Sequence, residues 1–228
     1  TFFFGSGMNF LGYNNKKEVK MIGLDLIKKI LILMLGLTSI GFGGSLFILS
    51  NIGSNPFNVF MQGLSNVGGL TVGQFHIIVS FISVIIIFFL DRQYIRIGTL
   101  LAVVTLGAII DLSIYFLEPI FSLNLHYVVK FISMMTGSIF IAFGIAVAYC
   151  AKIGMVPNDA LPVIISNKIS LPFKWVRIGY DLTAVLLGVM MDGVFGVGTV
   201  FCVLVTGPLI TFFIPHIEPL SNKAMSNI

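Results

Sequence analysis

Apolar residues in this chain gather into long unbroken runs, and most polar positions fall between them. A helix needs about 20 mostly apolar residues to cross the hydrocarbon core at a rise of about 1.5 Å per residue. Six runs approach or meet that length: residues 30–49, 72–90, 97–117, 127–150, 176–191 and 198–214. Val, Ile and Phe are common in them. Barrel strands, however, alternate apolar and polar positions over about ten residues, whereas these runs are continuous and longer, so the pattern predicts helices.

Composition places those helices in lipid. The chain of 228 residues is 57% hydrophobic and 10% charged, with a mean hydropathy of +1.05, whereas about 25% of the residues of a soluble domain are charged. The expected class is an all-α, polytopic transmembrane helical bundle with the lipid bilayer as its principal partner. Residues 1–23 are expected to form a short N-terminal cytoplasmic segment, with the native start at Met8 or Met21. The run that follows is too long, and lacks the small-residue cleavage site, for a secretory signal, so it is expected to be retained.

Lys and Arg set the orientation. With the N-terminus in the cytoplasm, Lys16, Lys17, Lys20, Lys28, Lys29, Arg92, Arg96, Lys152, Lys168, Lys174, Arg177 and Lys223 fall on the inner side, and Lys130 alone falls outside. Both termini are therefore expected to be cytoplasmic. The formal charge of +4 then belongs to segments facing anionic headgroups, and no nucleic-acid partner is needed to explain it. Cys150 and Cys202 have neither CxxC nor metal-site spacing and are expected to be buried thiols.

The chain also repeats itself at an offset of 101. This pairs Ile40 with Ile141, Phe42 with Phe143, Gly43 with Gly144, Ile52 with Ile153, Gly53 with Gly154 and Pro56 with Pro157, then Ser65-Asn66 with Ser166-Asn167, Leu70 with Leu171 and Ile77 with Ile178. After a one-residue slip the match resumes, aligning Gly98-Thr99 with Gly198-Thr199, Val103 with Val203, Gly107 with Gly207 and Ile110 with Ile210. Six spans thus read as two three-helix repeats, residues 24–118 and 127–214, followed by a cytoplasmic tail, 215–228. Three is odd, so the second copy is expected to enter the membrane inverted, a plan used by transporters whose site lies between the copies. The connection 51–71, expected outside, has no Lys or Arg, while its counterpart 152–172, expected inside, carries Lys152 and Lys168.

Each copy breaks its first long helix in the same way. The segments Ile52-Gly53-Ser54-Asn55-Pro56-Phe57-Asn58 and Ile153-Gly154-Met155-Val156-Pro157-Asn158-Asp159 offer a Gly suited to a left-handed helix end and a Pro suited to a first helical turn. The helix that follows, at roughly ten residues, is too short to span. One reading makes it a re-entrant half-helix whose N-terminal amides point into the protein and attract anions or polar groups. The other makes it a surface turn in an ordinary loop. On the first reading Asn55, Asn58, Asn158 and Asp159 line a binding site.

Asp111 and Asp181 lie inside apolar runs, and His76 near the start of one, although an Asp at the bilayer centre costs about 2.5–3.5 kcal/mol on insertion scales. Coupling or other polar intramembrane roles are one explanation. The alternative is structural: Asp111 reaches the outer interface, Asp181 pairs with Arg177 one turn earlier, and His76 is satisfied locally. Gly41-x-x-x-Ser45, Ala142-x-x-x-Ala146 and the Gly-Thr pairs are expected to allow close helix approach. No HExxH, GxSxG, Walker A or dinucleotide-binding GxGxxG is present, and His76, His126 and His216 are scattered, so neither enzymatic chemistry nor a metal or cofactor is expected.

The two copies of Gly-x-x-Pro-x-Asn/Asp, the Gly-Thr pairs, and Gly-Ala-Ile-Ile-Asp at 107–111 with Gly-Pro-Leu-Ile-Thr at 207–211 resemble the YczE/YitT group of bacterial membrane proteins. Gly154-Met155-Val156-Pro157-Asn158-Asp159-Ala160-Leu161 carries the nearest match, and the resemblance covers residues 24–213. It implies a bacterial cytoplasmic membrane location and supplies no substrate. Asn58 where the second copy has Asp159 departs from any mechanism needing two equivalent carboxylates. The expected function is a small transporter or transporter subunit for a polar or anionic solute. The alternatives are a non-transporting scaffold or regulator, working through a membrane protein partner or as a homo-oligomer, and the substrate-binding subunit of a multi-component importer.

Overall fold

The computed structural model describes residues 23–121 and 125–226. These form α1 (Gly23–Ser50), α2 (Pro56–Gly68), α3 (Val72–Leu90), α4 (Ile97–Phe121), α5 (Tyr127–Cys150), α6 (Pro157–Ile169), α7 (Phe173–Met190) and α8 (Val197–Ser226), with a 3-10 turn at Arg92–Tyr94. No strand occurs among the described residues. The expected starts at Met8 and Met21, and the basic residues Lys16, Lys17 and Lys20, lie outside them.

Five helices, α1, α3, α4, α5 and α8, are long and apolar enough to cross a membrane. The chain is a multi-pass helical membrane protein. The remaining expected span, α7, has 18 residues but carries Lys174, Arg177 and Asp181. Large side chains exposed on the bundle, such as Phe81, Phe89, Leu100 and Leu204, are those that hydrocarbon rather than water accommodates.

The C-terminal end differs from the expected tail. Pro215 and Pro219 look like helix terminators, yet α8 continues through both, and through Pro208, to Ser226. Tertiary partners hold this end in place. Ser221 Oγ donates to the Cys150 carbonyl at 3.3 Å, filling one of the acceptors that the end of α5 leaves unpaired. Lys152 Nζ lies 3.7 Å from Glu218 Oε1 and 3.4 Å from Asn222 Oδ1. Residues 215–226 are therefore part of α8, docked on the end of α5.

The centre of the bundle is the pairing of α1 with α5. A Cβ on Gly43 would sit 2.6 Å from the Gly137 carbonyl oxygen, and one on Gly137 would sit 2.8 Å from that of Gly43. Gly36 and Gly144 face each other in the same way, at 2.8 and 2.5 Å. Backbones meet here because lipid supplies no hydrophobic force between helices and close packing must serve instead. Leu33, Leu37, Ala102, Ala148, Ala151 and Ile153 close one end of the core, and Phe47, Met134, Ile141 and Cys202 the other. Of the small residues expected to pack, Gly41 meets Ile109 of α4, and Ser45, Ala142 and Ala146 are fully buried.

Contacts of one kind recur in both halves. Gly198 N–H donates to the Ile52 carbonyl at 2.9 Å, and Gly98 N–H to that of Ile153 at 3.0 Å. Ser65 Oγ donates to the Leu70 carbonyl and Ser166 Oγ to that of Leu171, both at 2.7 Å. The left-handed residue after each long helix is Asn51 (φ 55°) or Lys152 (φ 57°), not the expected glycine. Gly53 and Gly154 also have positive φ, 113° and 147°, but their role is proximity: a Cβ on either would lie within 3 Å of the backbone nitrogen of Thr199 or Thr99.

Candidate functional site

Local signals start both short helices. In α2, Asn55 Oδ1 accepts the Asn58 N–H at 2.7 Å and Pro56 opens the helix; α2 ends at Gly68 and is capped by Gly69, whose φ is 69°. Pro157 opens α6 likewise, but Val156 in the capping position offers no side-chain acceptor. Asp159 in the first turn supplies the negative charge that this end of a helix favours. Each helix has 13 residues, about 20 Å at 1.5 Å per residue.

The two N-termini arrive at the same stretch of α3. Phe57 of α2 packs edge-to-face on His76, with ring centroids 5.2 Å apart. One turn further on, Ser80 Oγ accepts from Asn158 Nδ2 of α6 at 3.3 Å and lies 3.4 Å from His76 Nδ1. Ser80 Oγ thus joins the α6 amide to the imidazole of α3. The one hydrogen of Ser83 Oγ has two acceptors in reach, Asn158 Oδ1 at 3.1 Å and the Val79 carbonyl at 2.8 Å. Ser80 is the ninth of the 19 residues of α3, so α6 begins at mid-helix depth.

Charge enters from α7. Arg177 Nη1 donates to Asp159 Oδ1 and Nε to Asp181 Oδ2, both at 3.0 Å. The expected pair within α7 is present, and the same guanidinium also ties α7 to the first turn of α6. Behind this, Ile87 packs with Ala160, Leu161 and Ile164. On the other side α2 lies against the end of α7, where a Cβ on Gly188 would be 2.6 Å from the Val59 carbonyl.

Of the residues expected from the sequence, His76, Asn158, Asp159 and Asp181 are brought into one connected group. Asn58 is 4% exposed, its amide nitrogen 3.3 Å from where a Cβ on Gly44 would stand. Asn55 is a helix cap. Asp111 caps another helix: it accepts from the Gly73 N–H at 2.8 Å and from the Thr71 hydroxyl, holding the start of α3. The Gly-Thr hydroxyls also have structural partners, since Thr199 accepts from Ser54 N–H at 3.2 Å and Thr99 donates to the Tyr94 carbonyl at 3.2 Å.

Sequence reasoning missed Ser80 and Ser83, although with His76 they form an i, i+4, i+7 polar stripe on the buried side of an otherwise apolar helix. It also missed Arg177 as a link between two helices. Ser54 Oγ and Gln62 Oε1 are buried without a hydrogen-bond partner, beside Asn55 and one turn beyond Asn58. Among the described residues, no three His, Cys, Asp or Glu side chains are grouped so as to hold a metal ion.

Comparison with known proteins agrees with the membrane fold. The family described as "Family of unknown function (DUF6198)" matches residues 27–215. The chain is 32% identical, over 84% of its length and 87% of the relative's, to "Uncharacterized membrane protein YczE" of Bacillus subtilis (strain 168). It is 30% identical to "Uncharacterized protein YyaS" of the same organism, over 81% of this chain and 91% of the relative. An "Uncharacterized protein" of Haemophilus influenzae is 28% identical over 86% of this chain and 87% of its own. No solved structure matches.

Proposed function

Taking as premise that the chain belongs to the DUF6198 family, with YczE among its relatives, we propose that it is a small transporter, or a transporter subunit, of the bacterial cytoplasmic membrane. Its solute is polar and binds where the short helices meet. One observation carries this reading: Phe57 and Asn158, from the first turns of α2 and α6, both contact α3 within the single turn from His76 to Ser80. Two helix N-termini that converge at mid-helix depth bring polar side chains and fixed dipoles together. On this reading Asn55, Asn58, Asn158 and Asp159 bind the solute, with His76 and Asp181 beside them. The α6 end carries its own carboxylate, so attraction for a negative group on the solute is left to the α2 end.

The architecture behind the site is an inverted duplication. The paired hydrogen bonds at Gly98 and Gly198 and the crossed contacts of Gly36 with Gly144 and Gly43 with Gly137 support it, since a pseudo-two-fold axis between α1 and α5 generates both sets. Single-cysteine labelling at Asn51→Cys and Lys152→Cys, in a background lacking Cys150 and Cys202, tests it; both sites are exposed. Modification from opposite sides is expected, and modification from one side removes the inversion. For the site, purified protein is screened for solutes by thermal shift and then for flux in vesicles. Flux that survives the double replacement of Asn58 and Asp159 by Ala removes this assignment.

A further inference from the structure

The charges at this junction do not balance. Arg177 serves Asp159 through Nη1 and Asp181 through Nε, each at 3.0 Å, so the group as a whole carries one surplus negative charge. Asp181 is the ninth of the 18 residues of α7, and with 20% of its side chain exposed a surplus charge there is only partly hydrated. Arg177 is paired with both carboxylates, and α7 itself also carries Lys174 in its first turn. The helix α2 holds no ionisable side chain, and α6 brings Asp159, with Lys168 only in its last turn. From α3 comes His76, and Tyr180 of α7 and Cys202 of α8 are the other titratable groups within electrostatic reach of the pair.

A second, independent feature lies beside the triad. Asn158, which precedes Asp159, is joined through Ser80 to His76, and all three are buried. Through Asn158 this chain fixes the first turn of α6, and with it Asp159, against α3.

We propose that Asp159, Arg177 and Asp181 form a proton-binding site. A proton from water bonds to the Asp181 carboxylate, the triad becomes neutral, and Arg177 keeps Asp159 as its one anionic partner; release to water reverses this, with no oxidation or reduction. Resting on the transporter reading, the proton is the coupling ion. Its arrival removes the charge assistance of the bond from Arg177 Nε to Asp181, and the weakened bond reports occupancy to a solute at the adjoining helix ends.

The test is infrared difference spectroscopy between mildly acidic and mildly alkaline pH on the full chain reconstituted in lipid, with no solute added. A reversible protonated-carboxyl band is expected, and it disappears in Asp181→Asn. Asp159→Asn removes the surplus charge and moves the midpoint of the remaining band to lower pH, whereas Arg177→Gln moves it to higher pH. Absence of the band, or a band indifferent to both Asp replacements, overturns the proposal. If Asp181→Asn fails to fold, the direction of the Asp159→Asn shift decides the matter. Vesicle flux is scored separately: flux without the band removes the proton site and leaves the transporter reading, while the band without flux does the reverse.

Discussion

Thr199 accepts the backbone N–H of Ser54 across 145 positions of sequence, at 3.2 Å. The neighbouring Gly198 N–H donates to the Ile52 carbonyl at 2.9 Å, so the start of α8 holds the chain between α1 and α2 in place. The start of α4 does the same for the chain between α5 and α6, through Gly98 and Ile153. The short helices are thus positioned from their entry points by the opposite half of the molecule.

Thr199→Val keeps the shape of the side chain and removes the acceptor, leaving a buried N–H unpaired. A loss of about 1–3 kcal/mol is expected, read as a lower melting temperature in detergent. An unchanged melting temperature would separate this contact from stability.

Close approach of α1 and α5 requires glycine at four positions. At Gly43, a Cβ would sit 2.6 Å from the Gly137 carbonyl oxygen, a backbone atom that yields only if the helices part. Gly43→Ala is expected to cost about 1–3 kcal/mol, as overpacking does. Gly179 is the control, since a Cβ there meets nothing within 4 Å. Gly179→Ala should be neutral or gain up to about 1 kcal/mol from helix propensity. Equal melting temperatures for the two variants would contradict the packing.

Asp111 acts on α3 from outside that helix. Asp111→Ala leaves the Gly73 N–H without its acceptor and is expected to cost about 1.5–3 kcal/mol, the range for bonds to charged groups. Faster amide exchange confined to the first turn of α3 is the accompanying signature; protection unchanged there would refute the capping role.

Within the triad the order of the losses is informative. Arg177→Gln leaves two carboxylates facing each other, whereas Asp181→Asn leaves one matched pair, so the arginine variant should unfold at the lower temperature. Both losses should fall below the about 3–5 kcal/mol of a fully buried pair, because the three side chains retain 36%, 38% and 20% exposure for Arg177, Asp159 and Asp181. The reverse order would show that Arg177 does not hold the group together.

Lipid made much of this legible from composition and spacing alone. Backbone groups in hydrocarbon must be satisfied within their own segment, so spans appear as long apolar runs, and α3 and α5 end where those runs end. The starts of α2 and α6 are local too, because Pro56 and Pro157 already have the backbone angle of a first turn. The repeat at an offset of 101 announced Gly53 and Gly154 as a matched pair, and the i,i+4 spacing announced the bond from Arg177 to Asp181.

What tertiary structure alone decided involves partners distant in sequence. Arg177 reaches Asp159 over 18 positions because α6 and α7 pack together, and no spacing rule encodes that. Gly36 and Gly137 match at the same offset, but that they face Gly144 and Gly43 follows only because α1 lies against α5. Pro215 and Pro219 stop a helix in isolation, yet α8 passes through them to Ser226, where the end of α5 supplies partners. Sequence thus determined the apolar runs of the five long helices and the starts of α2 and α6, because those signals lie within one segment; which side chains meet was decided only when the two halves closed on each other.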